Sequence, residues 1–137
     1  MSTQHWLVKS EPTKYAYADL ARDGRTVWDG VRNNAAALHL KAMRLGDPVL
    51  YYHSQEGLAV VGVAEVVREA FLDPSDPAGR FVAVELAASR TLPSAVTLAE
   101  MKANPALAQM AMLRQSRLSV SPVTGAEWAE ILRMGGA

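Results

Sequence analysis

The chain has 137 residues, half of them hydrophobic, and its 14 basic and 14 acidic side chains give a net charge of zero. This length predicts one domain, residues 1–137, that can bury a core without covalent cross-links. The chain contains no cysteine, which excludes disulfides, thiolate metal sites and a cysteine nucleophile. The three histidines, His5, His39 and His53, match no metal-binding spacing, so we expect neither a metal nor another cofactor.

Targeting signals and charge narrow the class of protein further. No apolar run approaches the roughly 18 residues of a membrane span, and the first five residues do not resemble a signal peptide. We therefore expect a cytoplasmic monomer without membrane contacts. Zero net charge argues against strong sequence-independent binding to nucleic acid. Both ends are mildly cationic and the middle is acidic, so the ends would form a local basic patch if they meet in space. The alternative is that the charges are scattered and solvated.

Hydrophobic periods, caps and turn residues predict the elements in chain order. The first third holds a strand at 5–9, a helix at 17–22 and a helix capped by Asn33 or Asn34 that runs through Met43 to Gly46. The middle is β, with strands at 48–53, 58–67 and 80–86, bend points at Gly57 and Gly62, and a loop at 73–79. The last third holds a capping box at 97–100, a helical turn at 105–110, a strand at 117–121 and a capping box at 124–127 that opens the last helix.

This series of short strands and small helices has no repeating βαβ pattern and no glycine-rich phosphate loop. It predicts an α+β protein, built as a partly closed barrel of about five to six mostly antiparallel strands with short helices on its flanks. Trp6 and Trp128 have the spacing of core residues on a strand and a helix.

Trp28 is different, because it lies in a polar, turn-rich stretch where no helical or strand period accounts for it. The turn pair Asp29-Gly30, then Arg32 and two amides, follow it. A large π-face beside amides and a guanidinium is what a pocket for a flat polar ligand needs. The alternative is a tryptophan that fills the edge of the core.

Four segments, taken together, resemble the EVE domain over nearly the whole chain. They are Trp-Leu-Val-Lys-Ser-Glu-Pro at 6–12, Trp-Asp-Gly-Val-Arg-Asn at 28–33, Tyr-Tyr-His-Ser at 51–54, and Leu-Arg-Gln-Ser-Arg-Leu-Ser-Val at 113–120 followed by Pro-Val at 122–123. The loop at 73–79 looks shorter than in many family members. The resemblance implies a PUA-like fold, and EVE proteins are thought to bind modified bases in DNA or RNA, notably modified cytosines.

The pattern is also similar to YTH domains, which share the PUA-like fold and hold methylated adenine of RNA in an aromatic cage. By this similarity, Lys9, Ser10 and Trp28 fall where the YTH pocket begins. Glu11 stands where YTH domains commonly carry asparagine, so their base preference is not carried over.

A flipped base needs a stacking face, hydrogen bonds to its edge and cations for the phosphates. Trp28 supplies the face, and the Glu11 carboxylate suits an exocyclic amine such as that of cytosine. Ser10 and Asn33 add hydrogen bonds to the base edge, although Ser10 can instead cap a strand-end turn and Asn33 can cap a helix.

The other candidates are polar side chains at the cleft mouth and a basic cluster. His53 and Ser54 end a strand and enter a turn, although a lone histidine is more often structural. The predicted phosphate or carboxylate contacts are Arg32, Arg114, Gln115 and Arg117. The alternatives for this cluster are a solvated basic loop and an ion pair with Glu11 or Asp29.

Three functions compete. The leading hypothesis is a non-catalytic binding module that recognises a modified base, a modified cytosine or a methylated adenine, in DNA or RNA. The alternative is a small amidohydrolase like the PUA-like ASCH proteins, with Lys9, Ser10 and either Glu11 or Glu65 as the reacting groups. Lys9 and Ser10 are neighbours on a strand and point to opposite faces, which weakens this alternative. The third is an interaction domain without a small ligand, which predicts a filled barrel and no cleft near Ser10.

Overall fold

The computed structural model describes residues 3–137 and contains a mixed α+β fold. The strands are β1 (His5–Ser10), β2 (Arg25–Trp28), β3 (Pro48–His53), β4 (Ala59–Leu72), β5 (Val82–Thr97) and β6 (Val120–Val123). The helices are α1 (Pro12–Tyr15), α2 (Tyr17–Asp23), α3 (Asn34–Ala42), α4 (Leu98–Ala103), α5 (Ala111–Arg114) and α6 (Gly125–Met134), with a 3₁₀ turn at Pro105–Leu107. No helix within residues 3–137 is long and apolar enough to cross a bilayer.

The six strands form one sheet in the order β2-β5-β4-β3-β1-β6. Only the β1–β3 pair is parallel among the described strands, so the predicted α+β class and mostly antiparallel sheet are confirmed. The predicted closure is not observed, because the edge strands β2 and β6 do not pair and the sheet stays open. Each edge strand has only four residues, and Pro122 in β6 lacks a backbone donor, so neither offers a long ladder for closure.

Both faces of the sheet are buried, which makes three layers. One face packs Trp6, Val8 and Tyr51 against Leu20 of α2 and Leu40 of α3. The other face packs its own strand residues against the carboxyl-terminal helices, with the buried contacts Leu7, Leu50, Met101, Leu107 and Ile131. The almost continuous apolar sequence of β3 is the pattern expected for a strand that is covered on both faces.

The open sheet is strongly curled. Strands β2 and β3 are separated by β5 and β4, and neighbouring strands lie ~4.8 Å apart, which would place β2 and β3 about 14 Å apart in a flat sheet. The ring centroids of Trp28 on β2 and Tyr51 on β3 are only 5.5 Å apart. Register shifts along β4 and β5 provide the bend, and one of them lies beside the predicted bulge residue Gly62.

Several predicted elements differ from those observed. Trp28 is the last residue of a strand, β2, that was not predicted. With only four residues, this strand is too short to show an alternating hydrophobic pattern. The strands β4 and β5 run well beyond the predicted 58–67 and 80–86, because their distal parts carry exposed polar residues that hide the alternation. The last strand begins at Val120 rather than at residue 117. The single-turn helices α1 and α5 were not predicted.

Candidate functional site

A cleft of about 1000 Å³ opens at the carboxyl ends of β1 and β3. Five parts of the chain line it: the end of β1 with the start of α1, residues 26–32 around Trp28, the β3–β4 turn, α4, and residues 112–119. Pockets for small ligands have volumes of roughly 300–1,000 Å³, so this cleft can receive a nucleotide-sized molecule. The cleft near Ser10 contradicts the filled barrel that an interaction domain without a ligand would have.

Trp28 forms part of the cleft wall and is half-buried. Its ring meets Tyr51 nearly perpendicularly, at an interplanar angle of 81°, and packs against the core on the α2–α3 face. Within residues 3–137, no acceptor receives a hydrogen bond from its indole N–H, unlike that of Trp6, which donates to Asp47 Oδ2 at 2.9 Å. The Trp28 ring is thus fixed by packing against the core, while its indole N–H has no acceptor among residues 3–137.

The segment after Trp28 is fixed by one buried carboxylate. Asp73 Oδ2 accepts hydrogen bonds from Gly30 N at 2.8 Å and from Arg32 Nη1 at 3.0 Å, while Oδ1 accepts from Ser75 N and Oγ, both at 2.6 Å. Burial by itself would raise the pKa of Asp73, but the bonds from Ser75, Gly30 and Arg32 outweigh it and lower the pKa to about 2. Arg32, a predicted phosphate contact, is therefore already paired.

Ser10 and Glu11 both line the cleft, and both have partners within the protein. The Ser10 hydroxyl donates to the Tyr15 carbonyl at 2.8 Å, so it closes the strand-end turn and keeps its lone pairs as acceptors. The Tyr51 hydroxyl donates to the same carbonyl at 2.6 Å, and burial raises the pKa of Tyr51 to about 12. Glu11 forms an exposed ion pair with Lys14 at 2.7 Å.

Lys9 lines the cleft half-buried, beside the loop that follows α5. Its ammonium donates to the Ser116 carbonyl at 2.8 Å and lies 5.8 Å from the centroid of the Tyr52 ring. Burial lowers the pKa of Lys9. The partner of Lys9 is a backbone carbonyl and not a hydroxyl, so this contact does not activate a hydroxyl nucleophile.

Two further predicted residues, Ser54 and Arg117, line the cleft, and four do not. The His53 Nε2 accepts a hydrogen bond from Tyr17 N at 3.1 Å, and burial lowers its pKa, so the neutral ring has a structural partner. Asn33 caps α3 by accepting from Ala36 N at 3.0 Å, and with Gln115 it lines a second depression of about 350 Å³. Arg114 is exposed at the end of α5 and lines neither.

Sequence reasoning missed three lining residues with useful chemistry. Lys102 is four residues after Leu98, so both point from one face of α4 into the cleft, and that spacing after the capping box was the available signal. Tyr52 alternates with Tyr51 and faces the other side of the sheet. Gln55 is the one described non-glycine residue with a positive φ, 69°, a strained conformation that clusters at functional sites. Residues 3–137 contain no cluster of side chains able to hold a metal ion.

A family model described as EVE domain matches residues 4–134. The chain belongs to the EVE domain family. This EVE domain is 49% identical to Rpa0253 from Rhodopseudomonas palustris, with a TM-score of 0.93 and coverage of 98% of this chain and 94% of that one.

Eukaryotic relatives are also similar. The structure of the human THYN1 protein in complex with DNA containing 5-methylcytosine is 28% identical, with a TM-score of 0.91 and coverage of 98% of this chain and 99% of that one. Mouse thymocyte nuclear protein 1 is 33% identical over 96% of this chain and 74% of its own length. The YTH domain of the Zygosaccharomyces rouxii MRB1 protein is 14% identical with a TM-score of 0.60, covering 97% of this chain and 86% of that one, which confirms the expected relationship of the folds.

Proposed function

We propose that this EVE domain is a reader of a modified nucleobase, a modified cytosine in the first place, presented by DNA or RNA. The observation that carries the proposal is the half-buried Trp28 in the wall of a nucleotide-sized cleft, with its indole N–H unused by residues 3–137. Stacking of a base on an aromatic side chain contributes about 1–3 kcal/mol and does not depend on which base is bound. The human relative in complex with 5-methylcytosine DNA supports the choice of cytosine.

Preference for one base requires hydrogen bonds in addition to stacking. Carboxylates on the cleft, Glu11 and Asp29, accept hydrogen bonds and suit the exocyclic amine of cytosine or adenine. The acceptor lone pairs of Ser10 and Ser54 add further contacts. The cytoplasmic location stays a prediction, and the name of the mouse relative describes a nuclear protein.

The geometry favours this reading over an amidohydrolase. In that alternative, Lys9 would activate a hydroxyl, but its ammonium is bonded to the Ser116 carbonyl. The Ser10 hydroxyl points its proton at the Tyr15 carbonyl. Neither group has the base–nucleophile contact that the reaction needs.

Fluorescence-anisotropy titration tests the proposal with labelled single-stranded and duplex oligonucleotides that carry plain cytosine, 5-methylcytosine or N6-methyladenine. We expect tighter binding to one modified base. Trp28→Ala should weaken that binding by roughly 5- to 150-fold, the equivalent of one lost stacking contact, while Trp28→Phe should keep most of it. The matched control is Trp128→Phe, because Trp128 does not line the cleft. Equal affinity for all bases, unchanged in Trp28→Ala, would exclude a reader of these bases.

A further inference from the structure

The cleft is electrostatically divided. Five cations line it: Lys9, Lys14, Arg32, Lys102 and Arg117. Lys14 is paired with Glu11 at 2.7 Å, and Arg32 is paired with Asp73 at 3.0 Å. For Lys9, Lys102 and Arg117, no carboxylate of residues 3–137 lies within ion-pair distance.

These three cations, which we call the basic rim, come from three separate segments that line the cleft. Lys102 lies on α4, and Leu98 of the same helix packs on the sheet face that contains Leu7 and Leu50. Lys9 reaches the same side, since its ammonium approaches the Tyr52 ring and bonds to Ser116, the neighbour of Arg117. Lys102 and Arg117 are exposed, so their charges are available to a ligand.

The other side of the cleft has the opposite character. Trp28 packs with the core on the α2–α3 face, and the turn after it carries the exposed Asp29. Of the cleft-lining cations within residues 3–137, Lys14 and Arg32 are already neutralised by the ion pairs Lys14–Glu11 and Arg32–Asp73. A base with an exocyclic amine suits this side, whereas a phosphate would be repelled by Asp29.

We propose that the basic rim, Lys9, Lys102 and Arg117, binds the phosphodiester backbone that flanks the recognised base, so that a nucleic-acid strand crosses the cleft with its phosphates toward α4 and its base toward Trp28. This inference rests on the proposed function and adds the orientation of the strand to it. It also explains how a protein of zero net charge attracts a polyanion, because the attraction depends on local and not on total charge.

The test measures the salt dependence of binding to the best oligonucleotide for wild type and for Lys102→Gln, Arg117→Gln and the double variant. Each lost phosphate contact should reduce the slope of log K against log salt by about 0.7 for a single strand or 0.9 for a duplex. The double variant should therefore lose about 1.4 or 1.8 from the slope. It should weaken binding to modified and unmodified oligonucleotides alike.

Matched controls use cations outside the cleft. Arg90 and Lys41 are exposed and have no ion pair within residues 3–137, and neither lines the cleft, so Arg90→Gln and Lys41→Gln should leave the slope nearly unchanged. As a second probe, neutral methylphosphonate linkages beside the modified base should weaken binding to wild type more than binding to the double variant, which keeps only Lys9 of the basic rim.

The outcomes separate this inference from the proposed function. A slope that the double variant leaves unchanged, or that the control variants reduce as strongly, overturns the basic rim even if Trp28→Ala still removes base preference. A reduced slope without any base preference supports the rim and rejects the reader. Wild type that binds no oligonucleotide at low salt rejects both.

Discussion

At the scale of single residues, the state of the cleft depends on which charges are already neutralised. Sequence patterns treated Arg32 as equivalent to Arg117, but a carboxylate 41 positions away in the chain holds the Arg32 guanidinium. Buried Asp73 connects the loop after β4 to the segment that follows Trp28. It holds Gly30 and Arg32 at the wall of the cleft and does not itself line the cleft.

Replacing that carboxylate should destabilise the protein in a pH-dependent way. In wild type, every hydrogen-bond donor to the Asp73 side chain faces a carboxylate oxygen. In Asp73→Asn, one of these oxygens is replaced by an amide N–H₂ group, which cannot accept a hydrogen bond. We therefore expect the free energy of unfolding to fall by about 1–3 kcal/mol near pH 6. The pKa of Asp73 is lowered to about 2 by folding, so its stabilisation is present above the ordinary pKa of 3.8 and is lost as the pH falls toward 2. Urea unfolding between pH 2 and pH 6 should show the two proteins converging at the acid end.

The control for this experiment is Asp29→Asn, which changes an exposed carboxylate in the same region of the cleft. It should leave the free energy of unfolding almost unchanged at every pH. A difference between wild type and Asp73→Asn that stays constant down to pH 2 would contradict the assigned role of the Asp73 charge.

At the scale of elements, the long hairpin of β4 and β5 shapes the molecule. Its strands have 14 and 16 residues, and their register shifts four times. Residues 92–95 of β5 are an unpaired stretch between Thr91 and Val96, which is where Pro93 is tolerated. The resulting curl brings β2 over the face of β3 and places Trp28 beside the ends of β1 and β3.

Helix α2 is attached to this hairpin through Tyr17 and Gly62. A Cβ atom at position 62 would lie 2.6 Å from Cε1 and Cζ of the Tyr17 ring, while the Tyr17 hydroxyl lies 2.6 Å from the Val63 carbonyl. We expect Gly62→Ala to lower the free energy of unfolding by about 1–3 kcal/mol, because the ring must move and lose its hydrogen bonds. Chemical denaturation measures this change.

A double-mutant cycle identifies the cause of that effect. In a Tyr17→Leu background the aromatic ring is absent, so adding the methyl group at Gly62 should cost much less than in wild type. If Gly62→Ala lowered the free energy of unfolding equally in both backgrounds, the contact with the Tyr17 ring would not be the reason that glycine is required at position 62.

At the scale of the whole molecule, strands from the two ends of the chain pair at one edge of the sheet, and both ends contribute residues to the cleft. Strand β1 lies between β3 and β6, so the amino-terminal strand depends on a partner from the end of the chain. The basic rim likewise combines Lys9 with Lys102 and Arg117. Cations from both ends of the chain thus line the same cleft.

Removal of residues 120–137 should therefore abolish folding as a unit. The deletion uncovers the edge of β1 and removes the buried Val120, Val123 and Ile131. At about 1.5–3 kcal/mol for each buried side chain, the loss of about 5–9 kcal/mol matches the whole stability of a typical domain, 5–15 kcal/mol. Circular dichroism should record no cooperative thermal transition.

A chain that lacks only residues 136–137 serves as the control, since both residues are exposed. It should unfold cooperatively near the wild-type temperature. A cooperative transition in the longer deletion, at that same temperature, would show that β6 and α6 are dispensable for the rest of the fold.

Local rules were sufficient for much of the architecture. The capping boxes at Thr97 and Thr124, the helix cap at Asn33 and the strand Pro48–His53 follow from neighbouring residues, and the structure has them where they were predicted. The family signature also identified residues that meet at one cleft, with Lys9, Ser10, Trp28 and Arg117 among them. Helix caps and hydrophobic periods involve residues that are close together in the chain, so they can be recognised from the sequence alone.

The remaining features depend on residues far apart in the chain. The open edge between β2 and β6, the pairing of Arg32 with Asp73 and the entry of Lys102 into the cleft all depend on contacts between segments that are distant in the chain. An arginine or lysine has the same charge in the sequence whether or not a carboxylate meets it after folding. The sequence by itself thus determined the elements and the candidate groups, whereas the tertiary structure decided which cations remain unpaired, because ion pairs form between side chains that only folding brings together.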